Sequence, residues 1–132
     1  MGSVLGSTVK NKEAVEMALS KAKDIVNSTP VVVFSKTYCG YCARVKQLFS
    51  QLGANYKTIE MDVESDGKET QAALAEWTGQ TTVPNVFIGG KHVGGCDKVM
   101  HKHKAGLLVP LLTEAGAFPS KSENASSSSS NL

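Results

Sequence analysis

A run of apolar residues stands shortly before a closely spaced pair of cysteines, and this junction constrains the fold more than any other feature. Val31-Val32-Val33-Phe34 is a continuous, mostly β-branched run, typical of a strand that is buried on both faces. A short segment leads from it to the motif Cys39-Gly40-Tyr41-Cys42. After the motif, apolar residues recur at helical spacing, at positions Cys42, Val45, Leu48, Phe49 and Leu52. The sequence therefore predicts a buried strand, a loop that ends at Cys39, and a helix that begins there.

The other periodic segments predict a small three-layer α/β domain. In chain order they are a helix from about Asn11 to Asn27 before the buried strand, a strand at Tyr56 to Met61, a helix at Ser65 to Trp77, strands at Val86 to Ile88 and His92 to Val93, a helix that opens at Gly94-Gly95, and a helix after Gly106. Gly89-Gly90 between the last two strands is typical of a hairpin turn. The β-α-β start implies parallel strands, and the hairpin adds an antiparallel part.

The length of 132 residues suits one domain with a modest core. Residues 1–10 are small and polar without a pattern, which predicts a flexible N-terminal segment. From Ala117 onward the chain is rich in serine, a composition that cannot bury enough surface to fold. We therefore predict a folded domain at residues 11–116 and a disordered tail at residues 117–132.

Charge and hydropathy exclude several classes of partner. The net charge of +2 is too small to argue for nucleic acid or an anionic membrane. No segment reaches the roughly 18–20 apolar residues that span a bilayer, and the N-terminus lacks the pattern of a secretory signal. We expect a cytoplasmic protein. Met1-Gly2-Ser3 leaves N-myristoyl membrane association as an alternative, although Gly6 stands where that motif has Ser or Thr.

The three cysteines are too few for a disulfide framework, so a reducing compartment is the default expectation. Cys39 falls at the predicted helix N-terminus, where unpaired amides and the positive end of the helix dipole favour a thiolate. Lys36 adds to this effect. The thiolate is the form that attacks a disulfide. Cys42 shares the inward face of the helix with Val45 and Phe49, so we predict an exposed nucleophile and a shielded, resolving partner.

The alternatives to a redox pair are a zinc site and an accidental spacing. A structural zinc site needs about four ligands, and the sequence has no second pair of this kind. His101 and His103 could supply two, but they lie in a lysine-rich stretch and we interpret them as solvated. The strand before the motif and the helix after it argue against an accident.

Three separated segments resemble the glutaredoxin family: Lys36-Thr37-Tyr38-Cys39-Gly40-Tyr41-Cys42, Thr82-Val83-Pro84 and Gly94-Gly95-Cys96-Asp97. The similarity is to plant-type class I dithiol glutaredoxins with a CGYC active site, and it covers about residues 12 to 115. It implies a thioredoxin-like fold, with a four-stranded mixed sheet sandwiched between helices. It also implies a glutathione-disulfide oxidoreductase that acts on glutathionylated or disulfide-containing proteins, with Cys39 as nucleophile and Cys42 as resolving cysteine.

The resemblance further implies a glutathione site. Pro84 is a cis proline in the family, which would hold the Val83 backbone as an edge that pairs with the glutathione cysteine; spacing alone favours a trans proline. The amides of Cys96 and Asp97 would hold the γ-glutamyl carboxylate. The Asp97 side chain would take the amine; the simpler interpretation is an N-terminal cap, and the two roles are compatible. The glycine carboxylate would contact Lys36 and Gln80. The full predicted set is Lys36, Tyr41, Gln80, Thr82, Val83, Pro84, Gly95, Cys96 and Asp97.

Cys96 has two interpretations. It is either a small packed hydrophobe beside Val99 and Met100, or one half of a regulatory disulfide between chains. We favour the packing role, with the Cys96 backbone in the glutathione site.

Gly40 underlies an alternative function. Many family members have proline there, whereas glycine leaves both an amide and space beside Cys39. CGYC glutaredoxins resemble proteins that hold a [2Fe-2S] cluster between two subunits, where Cys39 of each chain and the thiol of each bound glutathione would supply four sulfurs. The chain would then be primarily an iron–sulfur cluster-binding redox sensor or carrier, acting as a homodimer. A pure interaction module would show no glutathione-linked turnover at all.

Overall fold

The computed structural model describes the backbone of residues 2–119 and the side chains of residues 11–119. The elements of this part of the chain are α1 (Gly2–Ser28), β1 (Val31–Ser35), α2 (Gly40–Leu52), β2 (Lys57–Glu60), α3 (Gly67–Thr78), β3 (Asn85–Ile88), β4 (Lys91–Gly94), α4 (Cys96–Lys104) and α5 (Leu108–Ala115). Their order confirms the predicted helix followed by β-α-β-α-β-β-α-α. None of these helices is long and apolar enough to cross a membrane.

The four strands form one mixed sheet in the order β2-β1-β3-β4. β1 runs parallel to β2 and antiparallel to β3, and β3 and β4 form the predicted hairpin. Gly89 and Gly90 connect the hairpin with φ angles of 61° and 81°, a left-handed pair that favours glycine at both turn positions. β1 has a neighbouring strand on each side and helices over both faces, and its residues Val31–Ser35 are fully buried.

Apolar clusters cover both faces of the sheet. Val31 and Val33 of β1 point to a cluster that also contains residues of α2, α4 and α5. Val32 and Phe34 point the other way, into a cluster with residues of α1 and α3. Alternate residues of one strand thus enter different layers. The four-stranded mixed sheet between helices is confirmed.

At its N-terminal end the domain differs from its predicted boundary. α1 begins at Gly2, not near Asn11. Apolar spacing reports which helix positions are buried and not where the backbone turns helical, so the start of α1 left no signal. The side chains of residues 1–10 lie outside the described residues, and the flexibility predicted for this segment stays a prediction.

The C-terminal boundary predicted after Gly116 is wrong. Ala117 is fully buried and its carbonyl accepts the N–H of Asn55 at 2.7 Å. Phe118 packs against the same cluster as Ala117. These residues belong to the core, and a composition argument missed them because two apolar residues hardly change a serine-rich window. The disorder predicted for residues 120–132 falls outside the described residues.

Candidate active site

Cys39 is the N-cap residue of α2, and its sulfur faces the start of the helix. The Sγ atom accepts the N–H of Cys42 at 3.1 Å, while the Cys39 N–H donates to the Lys36 carbonyl at 3.1 Å. The thiol also lies 3.7 Å from the Val83 carbonyl oxygen, as a weak donor. The Cys39 side chain is half-buried. The sulfur therefore lies at a helix N-terminus, held on two sides and still reachable, as the sequence predicts.

Cys42 lies one turn further along α2 and is fully buried. Burial, followed by the hydrogen bond with Cys39, raises the pKa of Cys42 to about 11. Hydrogen bonds from the Ser35 side chain and the Lys36 backbone oppose this rise. Cys42 is therefore a neutral thiol at neutral pH and does not compete with Cys39 as the first nucleophile.

The segment before Cys39 is fastened to the turn after β2. Thr37 donates its N–H to a carboxylate oxygen of Asp62 at 3.0 Å, and its hydroxyl donates to the other oxygen. These bonds, from the Thr37 hydroxyl first, lower the pKa of the Asp62 carboxyl. Asp62 belongs to none of the sequence motifs, so sequence reasoning missed it.

Sheet topology explains why three distant segments meet. Phe34 at the end of β1 pairs with Asn85 at the start of β3, so the loop that carries Cys39 lies next to the Thr82–Pro84 segment. Gly94 at the end of β4 pairs with Val86. The start of α4 therefore reaches the same edge of the sheet.

A groove of about 910 Å³ lies between the Thr82–Pro84 segment and the junction of β4 with α4. All the predicted glutathione-binding residues except Lys36 line it. The positive charge of Lys36 instead acts on Asp62 outside the groove. The predicted glutathione site did not include the other lining residues, which lie at or next to the end of α3, in β4 and in α4: Thr78, Gly79, His92, Val93, Gly94 and Lys98.

One wall of the groove is the Thr82–Pro84 segment. The Val83–Pro84 peptide bond is cis, so the trans alternative is wrong. The side-chain amide of Gln80 donates to the carbonyl oxygens of Thr82 at 3.0 Å and Pro84 at 2.9 Å. Gln71, a second residue that the sequence did not single out, donates to the Thr81 carbonyl at 3.1 Å. The wall is therefore held by side chains that precede it in the chain.

The opposite wall is the N-terminus of α4. Gly95 is its N-cap residue, so the interpretation of Asp97 as the N-terminal cap is wrong. The first intrahelical bond joins the Val99 N–H to the Gly95 carbonyl, which leaves the amides of Cys96 and Asp97 free of helical partners. Cys96 is buried in the cluster that contains Val99, which confirms its predicted packing role. This burial raises the pKa of the Cys96 thiol. His101 and His103 are exposed, as expected.

Similarity to known proteins decides the family. The glutaredoxin family model matches residues 31–93. Glutaredoxin-C1 from Arabidopsis thaliana is 63% identical over 122 residues, which cover 92% of this chain and 98% of that protein. This chain belongs to the glutaredoxin family. Glutaredoxins are thiol–disulfide oxidoreductases, so the chain is an enzyme of that class.

Two solved structures resemble this glutaredoxin closely. The buckwheat glutaredoxin–glutathione complex is 70% identical, has a TM-score of 0.80 and aligns with 81% of this chain and 97% of its own. The holo form of glutaredoxin C1 from Populus tremula x tremuloides is 61% identical, with a TM-score of 0.76 over 80% of this chain and 95% of its own. These similarities confirm the thioredoxin-like fold.

Proposed function

We propose that this glutaredoxin uses glutathione to reduce protein–glutathione mixed disulfides, with Cys39 as the only cysteine required. The Cys39 thiolate attacks the glutathione sulfur, and the protein thiolate leaves and takes up a proton. A second glutathione thiolate then attacks the glutathione sulfur on Cys39, which releases glutathione disulfide and restores the Cys39 thiolate. The observation that carries this proposal is the Cys39 Sγ at the start of α2, reachable and 3.7 Å from the wall of the groove.

The groove suits the chemistry of glutathione. The tripeptide carries a carboxylate at each end and an amine beside one of them. The free amides at the start of α4 suit the carboxylate beside the amine, and the exposed Asp97 carboxylate suits the amine. The glutathione complex of the 70% identical buckwheat protein supports the same ligand here.

For protein disulfides we propose a second route through Cys42. Cys39 first forms a mixed disulfide with the protein substrate. Cys42 then loses its proton and attacks the Cys39 sulfur, so that the second protein thiolate leaves and a Cys39–Cys42 disulfide forms. The 3.1 Å contact between the Cys42 N–H and the Cys39 sulfur supports this closure, because the two residues are already neighbours. Two glutathione molecules then reduce the disulfide.

A glutathione-coupled assay on the wild type, Cys39→Ser and Cys42→Ser separates these routes. Each protein is given a glutathionylated protein and, in a second reaction, a protein with an internal disulfide. We expect Cys39→Ser to lose both activities, and Cys42→Ser to keep deglutathionylation while losing reduction of the internal disulfide. If Cys42→Ser lost deglutathionylation as completely as Cys39→Ser, the route through Cys39 alone would be wrong.

We also propose that two copies of the chain bind a [2Fe-2S] cluster between them when the protein is not acting as a reductase. Cys42 and Cys96 are buried, so Cys39 is the sulfur that the chain can offer. Among the described residues no three His, Cys, Asp or Glu side chains form a metal-binding group. The other sulfurs must therefore come from a partner chain and bound glutathione. The Cβ position of Gly40 has no atom within 4 Å, which leaves space beside Cys39, and the Populus holo form supports this proposal.

Anaerobic reconstitution with iron, sulfide and glutathione tests the cluster. Gly40 is the first residue of α2, where proline is well tolerated. We expect the wild type to give a coloured dimer, and Gly40→Pro to give much less colour while its reductase activity persists. A colourless monomer under every reconstitution condition would remove the cluster proposal.

We propose that the protein works in the cytoplasm, where its free thiols stay reduced. A fluorescent protein fused to the C-terminus should give a diffuse cytoplasmic signal. Enrichment at membranes that Gly2→Ala abolishes would support N-myristoyl association instead.

A further inference from the structure

The side-chain amide of Gln80 has no hydrogen left for a ligand. A glutamine amide carries two N–H donors. In the structure its nitrogen donates to the carbonyl oxygens of both Thr82, at 3.0 Å, and Pro84, at 2.9 Å. A contact between this nitrogen and the glycine carboxylate of glutathione, as the family resemblance implies, would cost one of these bonds.

The backbone of Gln80 is held as well as its side chain. Its N–H donates to the Thr78 hydroxyl at 3.1 Å, at the C-terminal end of α3. That hydroxyl donates to the Leu74 carbonyl at 2.8 Å and accepts from the Asn85 amide at 3.4 Å. The backbone of Gln80 is therefore connected through Thr78 to both α3 and β3, in addition to the hydrogen bonds that its side chain makes with the Thr82–Pro84 segment.

The Gln80 amide also adjoins the opposite wall of the groove. A Cβ atom placed on Gly95 would lie 3.7 Å from the Gln80 nitrogen and 3.6 Å from the Pro84 carbonyl oxygen. A Cβ atom placed on Gly94 would lie 3.8 Å from the Gln80 side-chain oxygen. The amide thus fills the space where the Thr82–Pro84 segment approaches the β4–α4 junction.

We propose that Gln80 is a positioning residue, which sets the spacing of the two groove walls, and not a ligand of the glycine carboxylate. Its two acceptors flank Val83, whose own carbonyl lies 3.7 Å from the Cys39 sulfur. Gln80 therefore fixes the peptide edge that glutathione must reach relative to the reacting sulfur. This inference rests on the proposed use of glutathione.

The test compares two substrates that differ only at the glycine end. One is the cysteine–glutathione mixed disulfide, and the other has the glycine carboxylate converted to a carboxamide. Gln80→Met keeps the length of the side chain and removes both donors. Gln51→Met, an exposed glutamine near the end of α2, is the matched control. We expect Gln80→Met to raise KM by about tenfold for both substrates alike, and Gln51→Met to leave both values unchanged.

Each other outcome has a defined meaning. A rise in KM for the carboxylate substrate, with no rise for the carboxamide, would overturn the inference and make Gln80 a carboxylate ligand. Unchanged KM for both substrates would overturn it too. The comparison does not depend on how much variant protein folds, because KM is independent of enzyme concentration. If the wild type turned over neither substrate, the proposed function itself would be wrong.

Discussion

At the scale of single residues, two cysteines of one motif differ because of where a helix begins. Cys39 caps α2 and remains partly exposed, whereas Cys42 in the first turn faces the core. Both positions follow from the sequence, since Cys42 is in phase with Val45 and Phe49. The contribution of Ser35 to the Cys42 thiol could not be predicted in this way, because Ser35 belongs to β1 and only the tertiary structure brings it to Cys42 of α2.

The raised pKa of Cys42 predicts that its thiol is alkylated only at strongly alkaline pH. A thiol reacts with iodoacetamide as the thiolate, so labelling of Cys42 should stay slow at pH 8 and rise only as the pH approaches about 11. Ser35→Ala removes a hydrogen bond that lowers this pKa and should move the labelling profile to still higher pH. Quantitative mass spectrometry of the Cys42 peptide in the reduced protein gives both profiles. Labelling with the midpoint of free cysteine would contradict the assignment.

The lowered pKa of Asp62 predicts that the stability of the folded protein depends on pH in the acidic range. Its pKa is lower in the folded protein than the ordinary value of 3.8, so its contribution to stability is complete above that value. The contribution disappears as the pH falls through the lowered folded pKa, where Asp62 becomes protonated. Wild type should therefore be more stable than Asp62→Ala at pH 7, and the difference should shrink in strong acid. Urea unfolding at a series of pH values measures this; a difference independent of pH would contradict it.

At the scale of elements, apolar spacing predicted what is buried and little else. The β1 run, the α2 stripe and the glycine turn between β3 and β4 each carry a local pattern, and each formed as predicted. The start of α1 and the inclusion of Ala117 carry no such pattern. The side-chain hydrogen bonds that hold the loops of the site were not predicted, for a related reason. Asp62 with Thr37, and Gln71 with Thr81, join elements whose proximity only the tertiary structure creates.

At Gly67, the first residue of α3, the helix comes so close to the backbone of Met61 that there is no room for a side chain. A Cβ atom there would lie 1.6 Å from the Met61 carbonyl oxygen, so the backbone must shift to accept a side chain. We expect Gly67→Ala to lower the free energy of unfolding by about 1–3 kcal/mol. Gly40→Ala, which meets no atom within 4 Å, should change it by less than about 0.5 kcal/mol. Urea denaturation of both variants compares them, and equal effects would refute this explanation.

At the scale of the whole molecule, the nucleophile and both walls of the groove lie at one end of the sheet, where β1 and β4 end and β3 begins. β1 leads to the nucleophile, β3 starts after the Thr82–Pro84 wall, and β4 leads to the free amides of α4. The family resemblance anticipated which segments meet there, because their order along the chain is shared. It did not anticipate which side chains hold the Thr82–Pro84 wall of the groove, or that the charge of Lys36 acts on Asp62.

The most direct measurement locates glutathione on the protein after a single turnover. The Cys42→Ser variant is mixed with a glutathionylated protein in the absence of free glutathione, and intact mass and peptide mapping follow. We predict that one glutathione is transferred and that it is found on Cys39. Transfer to Cys96, or no transfer at all while the variant remains folded, would contradict the assignment of Cys39 as the nucleophile.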